Sequence, residues 1–361
     1  MLKTLGILTL IFGLAASATA RATDYRIDTW ADGLAQPWSL AFLPDGRALV
    51  TELRGTLRLI TADGEVGPPL AHVPPVYFAA QGGLLDVVLD PQFAENRRVF
   101  LSFAEGTAED NGTAVARGRL GALALHDVAV IFRNDSRKDT PVHYGGRLAF
   151  LPDGSLLLTT GDGFDYREAA QDLASGLGKV LRMTTDGGPA PGNPFAEAPY
   201  VYTYGHRNPQ GLAVAPDGTV WLHEHGPRGG DEVNRLEAGV NYGWPAITHG
   251  KDYSGALVSP YTEWPGMAQP DWQWTPSIAP SGLAVGAGDL FPDWRGDLFI
   301  GALVAREVRR LEIDAGRPVR EQALFGEVEA RVRDVRFGPD GAVYLLLPDR
   351  IVRVTPAGAG P

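Results

Sequence analysis

Cysteine is absent from all 361 residues, which excludes disulfide bonds, thiolate metal sites and thiol nucleophiles. Histidine is sparse, with seven residues, so histidine-rich metal sites are limited as well. Positive charge is in deficit, because 32 Lys and Arg face 43 Asp and Glu, for a net charge of −11. Nucleic-acid affinity rests on cationic contacts with phosphates, so this composition argues against a nucleic-acid partner and favours neutral substrates or metal ions.

Helical periodicity is nearly absent, and the weak stretch Glu168–Leu177 is the best candidate for a short helix. The 45 glycines and 28 prolines instead supply the many turns that an all-β chain needs. The composition therefore favours a fold built of strands and turns.

The apolar run near the N-terminus is typical of a targeting segment. Lys3 precedes the apolar stretch Leu5–Ala15, and Ala18-Thr19-Ala20 fits a small-residue cleavage site. The stretch is too short to span a bilayer comfortably, and no later stretch looks transmembrane. We therefore expect residues 1–20 to be a signal peptide, the protein to be periplasmic or secreted, and residues 21–361 to form a single domain.

One hairpin pattern recurs six times: a short apolar strand, a tight turn of the Pro-Asp-Gly type, and a second strand. Repeats of about 40–50 residues with several strands each are typical of propeller blades. The sequence thus predicts an all-β six-bladed propeller with four-stranded antiparallel blades. The strand Tyr25–Trp30 would complete the last blade and close the ring. The six copies begin at Leu40, Val87, Leu148, Leu212, Ala284 and Val335.

Ligands of a propeller bind at the channel mouth, on the loops that flank each inner hairpin. His143 stands directly before the third hairpin and Asp162 directly after it, so the hairpin should bring them together. A carboxylate that fixes the tautomer of a histidine is an arrangement for a general base. We expect this role for His143 and Asp162 in preference to a purely structural pair.

The loops around the fourth hairpin combine a cationic group with oxygen ligands. Arg207 and Asn208 precede the hairpin, and Arg207 can bind a carboxylate or a carbonyl through its planar fork of donors. After the hairpin, the carbonyls of Gly226 and Pro227 and nearby carboxylates offer the hard oxygen ligands that calcium prefers. This unit could hold an anionic organic group and a metal side by side.

Further candidates lie in equivalent loops. His223 and His225 would point to the same side of a strand and could ligate zinc, although the loop carbonyls are the favoured metal ligands. Arg331 and Arg333, before the last hairpin, would point the same way in a strand as an anion clamp, or form a solvated basic face. Gln81, before the second hairpin, offers both a donor and an acceptor.

A resemblance to a known family covers essentially the whole mature chain. It is carried by the motifs QGGLLDVVLDPQF, HYGGRLAFLPDG, YGHRNPQGLA, EHGPRGGDEVN and NYGWP. With these the chain resembles the soluble pyrroloquinoline-quinone-dependent aldose dehydrogenases of the glucose/sorbosone dehydrogenase family, which are six-bladed propellers. The resemblance implies oxidation of an aldose to a lactone, with hydride passing to a calcium-bound pyrroloquinoline quinone (PQQ). It also implies a separate electron acceptor, which the sequence does not identify.

The resemblance also implies roles for matching residues. His143 would take the proton of the anomeric hydroxyl group, and Asp162 would orient it. Calcium would be bound by the carbonyls of Gly226 and Pro227 beside the quinone, and by Glu232 and Tyr242 at a second, structural site. The residues that would hold the quinone are Gln81, Arg207, Asn208, Tyr253, Arg331 and Arg333.

One position departs from the family pattern. Val304 stands where the family carries a lysine that reaches the cofactor, and Arg306 follows two residues later. Two other functions stay open: a calcium-dependent sugar lactonase that uses metal-activated water and no quinone, and a non-catalytic propeller that binds a partner protein. The pair Arg331 and Arg333 argues against the lactonase, because a neutral lactone does not need it.

The sugar would be selected by long loops between blades. In the loop 251–276, three tryptophans could stack on a sugar ring or could equally cap the core. These are Trp264, Trp272 and Trp274.

Overall fold

The computed structural model describes residues 24–358, so the predicted signal peptide lies outside the described residues. Its 24 strands form six sheets of four antiparallel strands each. The first strands of neighbouring sheets contact one another all the way around a central axis. The predicted six-bladed propeller is therefore confirmed.

The blades follow one another along the chain, and the first strand of each is the innermost. Blade 1 comprises β2 (Pro37–Phe42), β3 (Ala48–Glu52), β4 (Thr56–Ile60) and β5 (Val66–Pro69). Blade 2 comprises β6 (Leu84–Leu89), β7 (Arg98–Gly106), β8 (Asn111–Leu120) and β9 (Leu125–Arg133). Blade 3 comprises β10 (Leu148–Phe150), β11 (Leu156–Thr159), β12 (Lys179–Met183) and β13 (Val201–Tyr204).

The second half of the ring has the same arrangement. Blade 4 comprises β14 (Pro209–Val214), β15 (Val220–Glu224), β16 (Asp231–Arg235) and β17 (Trp272–Trp274). Blade 5 comprises β18 (Pro280–Val285), β19 (Leu298–Ala302), β20 (Val308–Asp314) and β21 (Arg317–Leu324). Blade 6 comprises β22 (Asp334–Phe337), β23 (Val343–Leu346), β24 (Ile351–Pro356) and, outermost, β1 (Tyr25–Ala31).

Every repeated hairpin of the sequence is the inner strand pair of a blade. The second hairpin carries a one-turn helix, α1 (Phe93–Asn96), between its strands. The closure predicted for the N-terminal strand is also present, since β1 pairs with β24 from Tyr25 opposite Pro356 to Ala31 opposite Ile351. The ring is thus joined by backbone hydrogen bonds between the two ends of the described chain.

The apolar core is divided among the interfaces between blades. Six clusters of buried side chains each join two adjacent blades, so every blade packs on both faces. The strands therefore read as runs of buried residues, as in Leu156–Thr159, all four of which are buried. This packing fixes the inner strands and hence the loops that they carry.

The channel between the inner strands holds a buried ionic network. Arg147, which is 1% exposed, has Nη1 3.2 Å from Oδ1 of Asp334 and 3.8 Å from Oδ1 of Asp86. Arg336 pairs with Asp334 at 2.9 Å, and Arg147 lies over the ring of Trp38 at 4.0 Å. These residues come from four blades, so the network joins their inner strands below the channel mouth.

The predicted helix Glu168–Leu177 is wrong in extent. The chain forms a 3-10 helix over Arg167–Gln171 and then leaves the helical conformation at Asp172. Oδ1 of Asp172 accepts the backbone N–H of Ala174 at 2.9 Å, which stabilises a turn in place of further helix. Within residues 24–358 no helix has the length and apolar character needed to cross a membrane.

Candidate active site

His143 lies on the segment that leads into β10, in a left-handed backbone conformation with φ of 54°. Its backbone N–H donates to Oε1 of Gln81 at 2.8 Å. Gly161, on the facing segment, allows the two segments to approach, because a Cβ at that position would collide with the carbonyl of His143. The turn and the close approach hold the imidazole against the segment that follows β11.

Asp162 follows β11, and its Oδ1 lies 2.7 Å from Nδ1 of His143. Oδ1 also accepts the backbone N–H of Phe164 at 2.8 Å. Both members of the pair are buried. Because the carboxylate accepts at Nδ1, the imidazole proton lies there and Nε2 keeps a free lone pair. The proximity that the hairpin predicts is present, with the geometry of an oriented base.

Trp244 is a contact of Asp162 that the sequence argument missed. Its Nε1 donates to Oδ2 of Asp162 at 2.8 Å, so both carboxylate oxygens are held. The tryptophan lies in the motif NYGWP, which carried the family resemblance without indicating this contact. The position of Trp244 between Gly243 and Pro245, in a tight turn, was the only feature of the sequence that could have indicated a role in the site.

Lys138 was missed as well. Its Nζ donates to Oδ1 of Asn111 at 3.0 Å and to the carbonyl of Thr140, and lies 3.6 Å from the ring centroid of Tyr144. Burial lowers the pKa of Lys138 to about 7, against the opposing effect of Asp162. No local pattern marks this lysine, because its burial depends on packing between distant segments.

The environment of His143 favours its neutral form. Burial lowers its pKa below the ordinary value, and the positive charges of Arg207 and Lys138 act in the same direction. The hydrogen bond and the charge of Asp162 act to raise it. Because the pKa is lowered overall, the imidazole is unprotonated at neutral pH, as a base must be.

A cavity of about 460 Å³ opens beside His143 and is bounded by the next residues, Tyr144 and Gly145. Gln81 and Asn208 line it, and each uses its amide oxygen on the backbone of this segment, at His143 and Gly145 respectively. Because the oxygen of each amide group already accepts a hydrogen bond from the backbone, its nitrogen is the atom that is left to donate to a ligand. Four of the six predicted cofactor residues line this cavity: Gln81, Asn208, Arg331 and Arg333.

The strand predicted for Arg331 and Arg333 is wrong, because β22 begins only at Asp334. The preceding segment bonds to two blades: Val332 N–H donates to the carbonyl of Ala302, and Arg333 N–H donates to that of Leu346. Both arginines nevertheless line the cavity. The two arginines come together because their segment passes from blade 5 to blade 6, and not because they alternate along a strand.

The charge at this wall favours an anion. Burial lowers the pKa of Arg333 to about 10, and the neighbouring Arg147 and Arg331 act in the same direction. Arg333 donates to Oγ of Ser281 at 3.0 Å. This partner is a neutral hydroxyl group, so the contact does not neutralise the positive charge of the arginine. A ligand with carboxylate groups, such as PQQ, fits a donor set of two arginines and two amides.

Arg207 and Tyr253 line a neighbouring cavity of about 300 Å³, together with Phe164, Pro227 and Trp244. The structure thus separates these two from the other four predicted cofactor residues. Nη2 of Arg207 lies 3.5 Å from the hydroxyl of Tyr253. Phe164 packs edge-on against the ring of His143, with centroids 5.2 Å apart, so a residue that lines this cavity contacts the histidine.

The carbonyl of Gly226, a predicted calcium ligand, accepts a hydrogen bond from Nη1 of Arg207 at 2.7 Å. A carbonyl has two lone pairs, so one remains for a cation. Asp231 fixes this loop, since it accepts the N–H of Gly226 at 2.9 Å and the hydroxyl of Ser277 at 2.6 Å. The carboxylate of Asp231 is therefore used within the protein.

Glu232 and Tyr242, the predicted second calcium site, lie around the pair His206 and Glu224. Glu232 faces Glu224 across β15 and β16, and burial together with this like charge raises the pKa of Glu232 to about 8. The Tyr242 ring stacks on His206 at 4.9 Å, and its hydroxyl donates to the carbonyl of Arg235. Across residues 24–358 no three His, Asp or Glu side chains form a metal cluster, so calcium would need backbone ligands.

His223 and His225 do point to the same side, toward β18. Their Nε2 atoms lie 2.8 Å from the carbonyl of Gly282 and 2.6 Å from that of Pro280. Both Nε2 atoms must therefore carry the proton and donate, so only Nδ1 of each ring could bind a metal. Among residues 24–358 no group of three metal-binding side chains is present, so the zinc interpretation lacks a third ligand.

Val304 is exposed and follows Leu303, which lines the larger cavity. Arg306 is not among the lining residues, nor is any lysine. Arg306 therefore adds no positive charge to the lining of this cavity.

The fold and the site define a class of protein: a six-bladed propeller that holds a histidine, oriented by a carboxylate, beside a cavity lined by two arginines. The family follows from comparison with known proteins. Residues 34–353 match the family model described as Glucose / Sorbosone dehydrogenase, and the chain belongs to this family. The family predicted from the sequence motifs is confirmed.

Several relatives support this assignment. The chain is 39% identical to the aldose sugar dehydrogenase YliI of Escherichia coli (strain K12), over 95% of this chain and 96% of that protein. A crystal structure of a glucose dehydrogenase has 44% identity and a TM-score of 0.88, over 93% of this chain and 100% of that one. The PQQ-bound aldose sugar dehydrogenase of Streptomyces coelicolor has 32% identity and a TM-score of 0.76, over 92% and 99%.

Proposed function

We propose that the protein oxidises aldose sugars at the anomeric carbon to lactones, with His143 as the general base. The observation that carries this proposal is the His143–Asp162 hydrogen bond of 2.7 Å beside a cavity lined by two arginines, in a member of this family. The base can remove a proton from the substrate, while an anionic cofactor bound in the adjacent cavity accepts the electrons.

In this reaction Nε2 of His143 takes the proton of the anomeric hydroxyl, while the C1–H bond breaks with its electron pair and the C1–O bond becomes a carbonyl. Nδ1 keeps its proton and its bond to Asp162, whose negative charge stabilises the imidazolium that forms. When bound, PQQ supplies the two-electron acceptor for the hydride. The residues that would hold its carboxylates are Gln81, Asn208, Arg331 and Arg333, with Arg207 and Tyr253 on the adjoining cavity.

Calcium is the metal that we propose for the site. The carbonyls of Gly226 and Pro227 are hard oxygen ligands beside the cavity that Arg207 and Pro227 line. For a second, structural ion we propose Glu232 and Tyr242, because a cation would relieve the repulsion between Glu232 and Glu224. A cation close to a bound quinone would withdraw electron density from it and favour its reduction.

The test is a reconstitution of the protein after its metal has been removed. We expect reduction of an artificial electron acceptor by an aldose only after both calcium and PQQ are added. Replacement of His143 by Gln should lower kcat by about 10²- to 10⁴-fold, while His126→Gln, an exposed control, leaves it unchanged. Hydrolysis of a lactone without quinone, and no sugar oxidation with it, would contradict the proposal and favour a lactonase.

We also propose that the protein is exported, on the basis of its N-terminal sequence. Lys3, the apolar stretch Leu5–Ala15 and the small residues Ala18-Thr19-Ala20 support a cleaved signal peptide. Expression of the full chain in a bacterium with an outer membrane should yield a periplasmic or secreted protein that begins near residue 21. Retention of the intact N-terminus in the cytoplasm would contradict this.

A further inference from the structure

Lys138 is a buried cation next to the candidate active site, and the proposed reaction assigns it no role. Only 3% of its surface is exposed. Its Nζ contacts the side-chain oxygen of Asn111, the carbonyl of Thr140 and the ring of Tyr144, and none of these three partners carries a negative charge. Burial of an ammonium group without a carboxylate in contact costs free energy. Ionisable groups in such surroundings are concentrated at functional sites.

The ammonium group contacts the residue that follows His143. The ring face of Tyr144 lies 3.6 Å from Nζ, which is a cation–π contact. The hydroxyl group of Tyr144 donates at 2.6 Å to Oδ1 of Asn111, the same oxygen that accepts from Lys138 at 3.0 Å. These three side chains therefore form one closed set of contacts, which fixes the backbone next to the imidazole.

The aliphatic part of the lysine contacts the residue that follows Asp162. Gly163 has a φ of 73°, and a Cβ at this position would lie 2.8 Å from Cδ of Lys138. Thr140, whose carbonyl accepts from Nζ, donates its hydroxyl group to the carbonyl of Gly163 at 2.6 Å. Lys138 and its partners thus contact the neighbours of both His143 and Asp162.

The backbone of the lysine is tied to a different blade. Its N–H donates to the carbonyl of Asn111 at 3.0 Å, and the N–H of Asn111 donates to the carbonyl of Lys138 at 2.9 Å. Asn111 is the first residue of β8 in blade 2, whereas His143 and Asp162 flank the inner hairpin of blade 3. Lys138 is therefore held by one blade and contacts the loops of the next.

The charge of Lys138 also acts on His143. Burial lowers the pKa of Lys138 to about 7, and burial lowers the pKa of His143 below 6.5, so the lysine is charged in the pH range where the imidazole takes up a proton. Raised pKa values keep the nearby hydroxyl groups of Tyr144 and Tyr166 neutral. The other charged groups that face the lysine or the imidazole are Arg137, Asp139, Asp162 and Arg207.

We propose that Lys138 is a positioning residue of the His143–Asp162 pair: it fixes the two turns that carry the pair, and its charge opposes protonation of the imidazole. This inference rests on the proposed function. Above its own pKa the lysine is a neutral amine, which still has two N–H groups for its two oxygen partners. The geometry is therefore kept at all pH values, and the charge acts on the acid side, where it keeps the base available.

The charge is tested by replacing Lys138 with Met, which has a similar length and no charge. We expect the pKa of His143 to rise by about 0.5 to 1 pH unit, because a positive charge that disfavours the imidazolium is removed, and Lys138→Arg to reverse most of this rise. The measurement is an NMR titration of the histidine side chains in the calcium-containing protein without quinone, and His143→Gln identifies the signal. Lys138→Gln, which is neutral but keeps an N–H donor, gives the same reading if the Met variant does not fold.

The matched control is Arg137→Met. It removes the neighbouring cation, which already pairs with the carboxylate of Asp110 at 2.8 Å, so the pKa of His143 should stay unchanged. An unchanged pKa of His143 in the neutral variants of Lys138, or an equal rise in Arg137→Met, would overturn the role of the charge.

The positional role is tested at Thr140, with the charge of Lys138 in place. Thr140→Val removes the hydroxyl group that donates to Gly163. We expect kcat of the reconstituted protein to fall by about 3- to 10-fold, with no movement of the acid limb of kcat/KM. Lys138→Met should lower kcat and also move this limb to higher pH.

Two further outcomes separate this inference from the proposed function. Wild-type kcat in both Thr140→Val and Lys138→Met would overturn the positioning role. Absence of oxidation of every sugar by the wild type would overturn the proposed function, while the NMR titration would still decide whether Lys138 acts on His143.

Discussion

Asp162 accepts three hydrogen bonds, one from its own turn and two from segments that lie 19 and 82 residues away in the chain. They come from Nδ1 of His143, the backbone N–H of Phe164 and Nε1 of Trp244, at 2.7, 2.8 and 2.8 Å. With both oxygens held, the carboxylate has one orientation, and so has the imidazole that it contacts. Pre-organisation of this kind lowers the cost of reaching the reactive geometry.

Replacement of Trp244 by Phe removes one of these donors and keeps an aromatic ring. We expect kcat to fall by about 5- to 10-fold, which corresponds to the roughly 1 to 1.5 kcal/mol of one hydrogen bond, with a smaller change in KM. Steady-state kinetics of the reconstituted protein measure both. The matched control is Trp272→Phe, since Nε1 of Trp272 is buried without a partner; equal losses in the two variants would contradict a positioning role.

Replacement of Asp162 by Asn should change the pH profile as well as the rate. The hydrogen bond and charge of Asp162 raise the pKa of His143, so their loss lets burial lower this pKa further. The acid limb of kcat/KM should therefore move to lower pH, while kcat falls by about 10²- to 10⁴-fold because the imidazolium loses its stabilising charge. A limb that moves to higher pH would show that Asp162 does not act on the base.

At the scale of elements, the inner strands are joined by charge as well as by apolar packing. Arg147, just before β10, faces Asp86 on β6 and Asp334 on β22, and its Nε donates to the carbonyl of Gln210 on β14. Arg333 and Gln210 belong to the wall of the cavity that Gln81 also lines. Because Arg147 donates to the backbone carbonyls of both residues, the network contacts the wall of this cavity.

Replacement of Arg147 by Leu leaves the buried carboxylates of Asp86 and Asp334 with one cation, Arg336, in place of two. We expect the free energy of unfolding to fall by about 3–5 kcal/mol, since removal of one partner of a buried ion pair is strongly destabilising. Urea unfolding followed by circular dichroism measures the change. The control is Arg320→Leu, which breaks an exposed ion pair with Glu312 and should cost less than about 1 kcal/mol; similar losses would contradict the argument.

At the scale of the whole molecule, buried neutral histidines make stability depend on pH. Burial lowers the pKa of His223 from 6.5 to about 3. Below pH 6.5 the unfolded chain binds a proton at this histidine that the folded chain does not, so stability falls as the pH drops toward 3. This one group should lower the free energy of unfolding by about 2 to 3 kcal/mol between pH 7 and pH 4.5.

Replacement of His223 by Gln removes this titration and keeps a donor for the carbonyl of Gly282. Between pH 7 and pH 4.5 the free energy of unfolding of the variant should fall by about 2 to 3 kcal/mol less than that of the wild type. This difference does not depend on how stable the variant is at pH 7. Urea unfolding at the two pH values measures the difference. An exposed histidine, His126→Gln, serves as the control, and identical pH dependence in all three proteins would contradict the argument.

The amino-acid sequence alone determined the blades and the approximate place of the site. Turn residues between apolar strands are a local signal, so the six hairpins and the closing strand Tyr25–Trp30 were predictable. A hairpin brings its own ends together, so the proximity of His143 and Asp162 was predictable as well. The predicted extent of the helix Glu168–Leu177 was wrong because the side chain of Asp172 stabilises a turn at that point.

Only the tertiary structure decided which residues surround His143 and the cavities. Trp244 and Lys138 lie 82 and 24 residues from Asp162 along the chain and reach its surroundings from other blades or loops. Arg331 and Arg333 share a cavity because their segment crosses between blades, and Trp264 is exposed while Trp272 and Trp274 are buried or half-buried. Local patterns set strands and turns, whereas burial and contact depend on packing between blades, which no window of sequence contains.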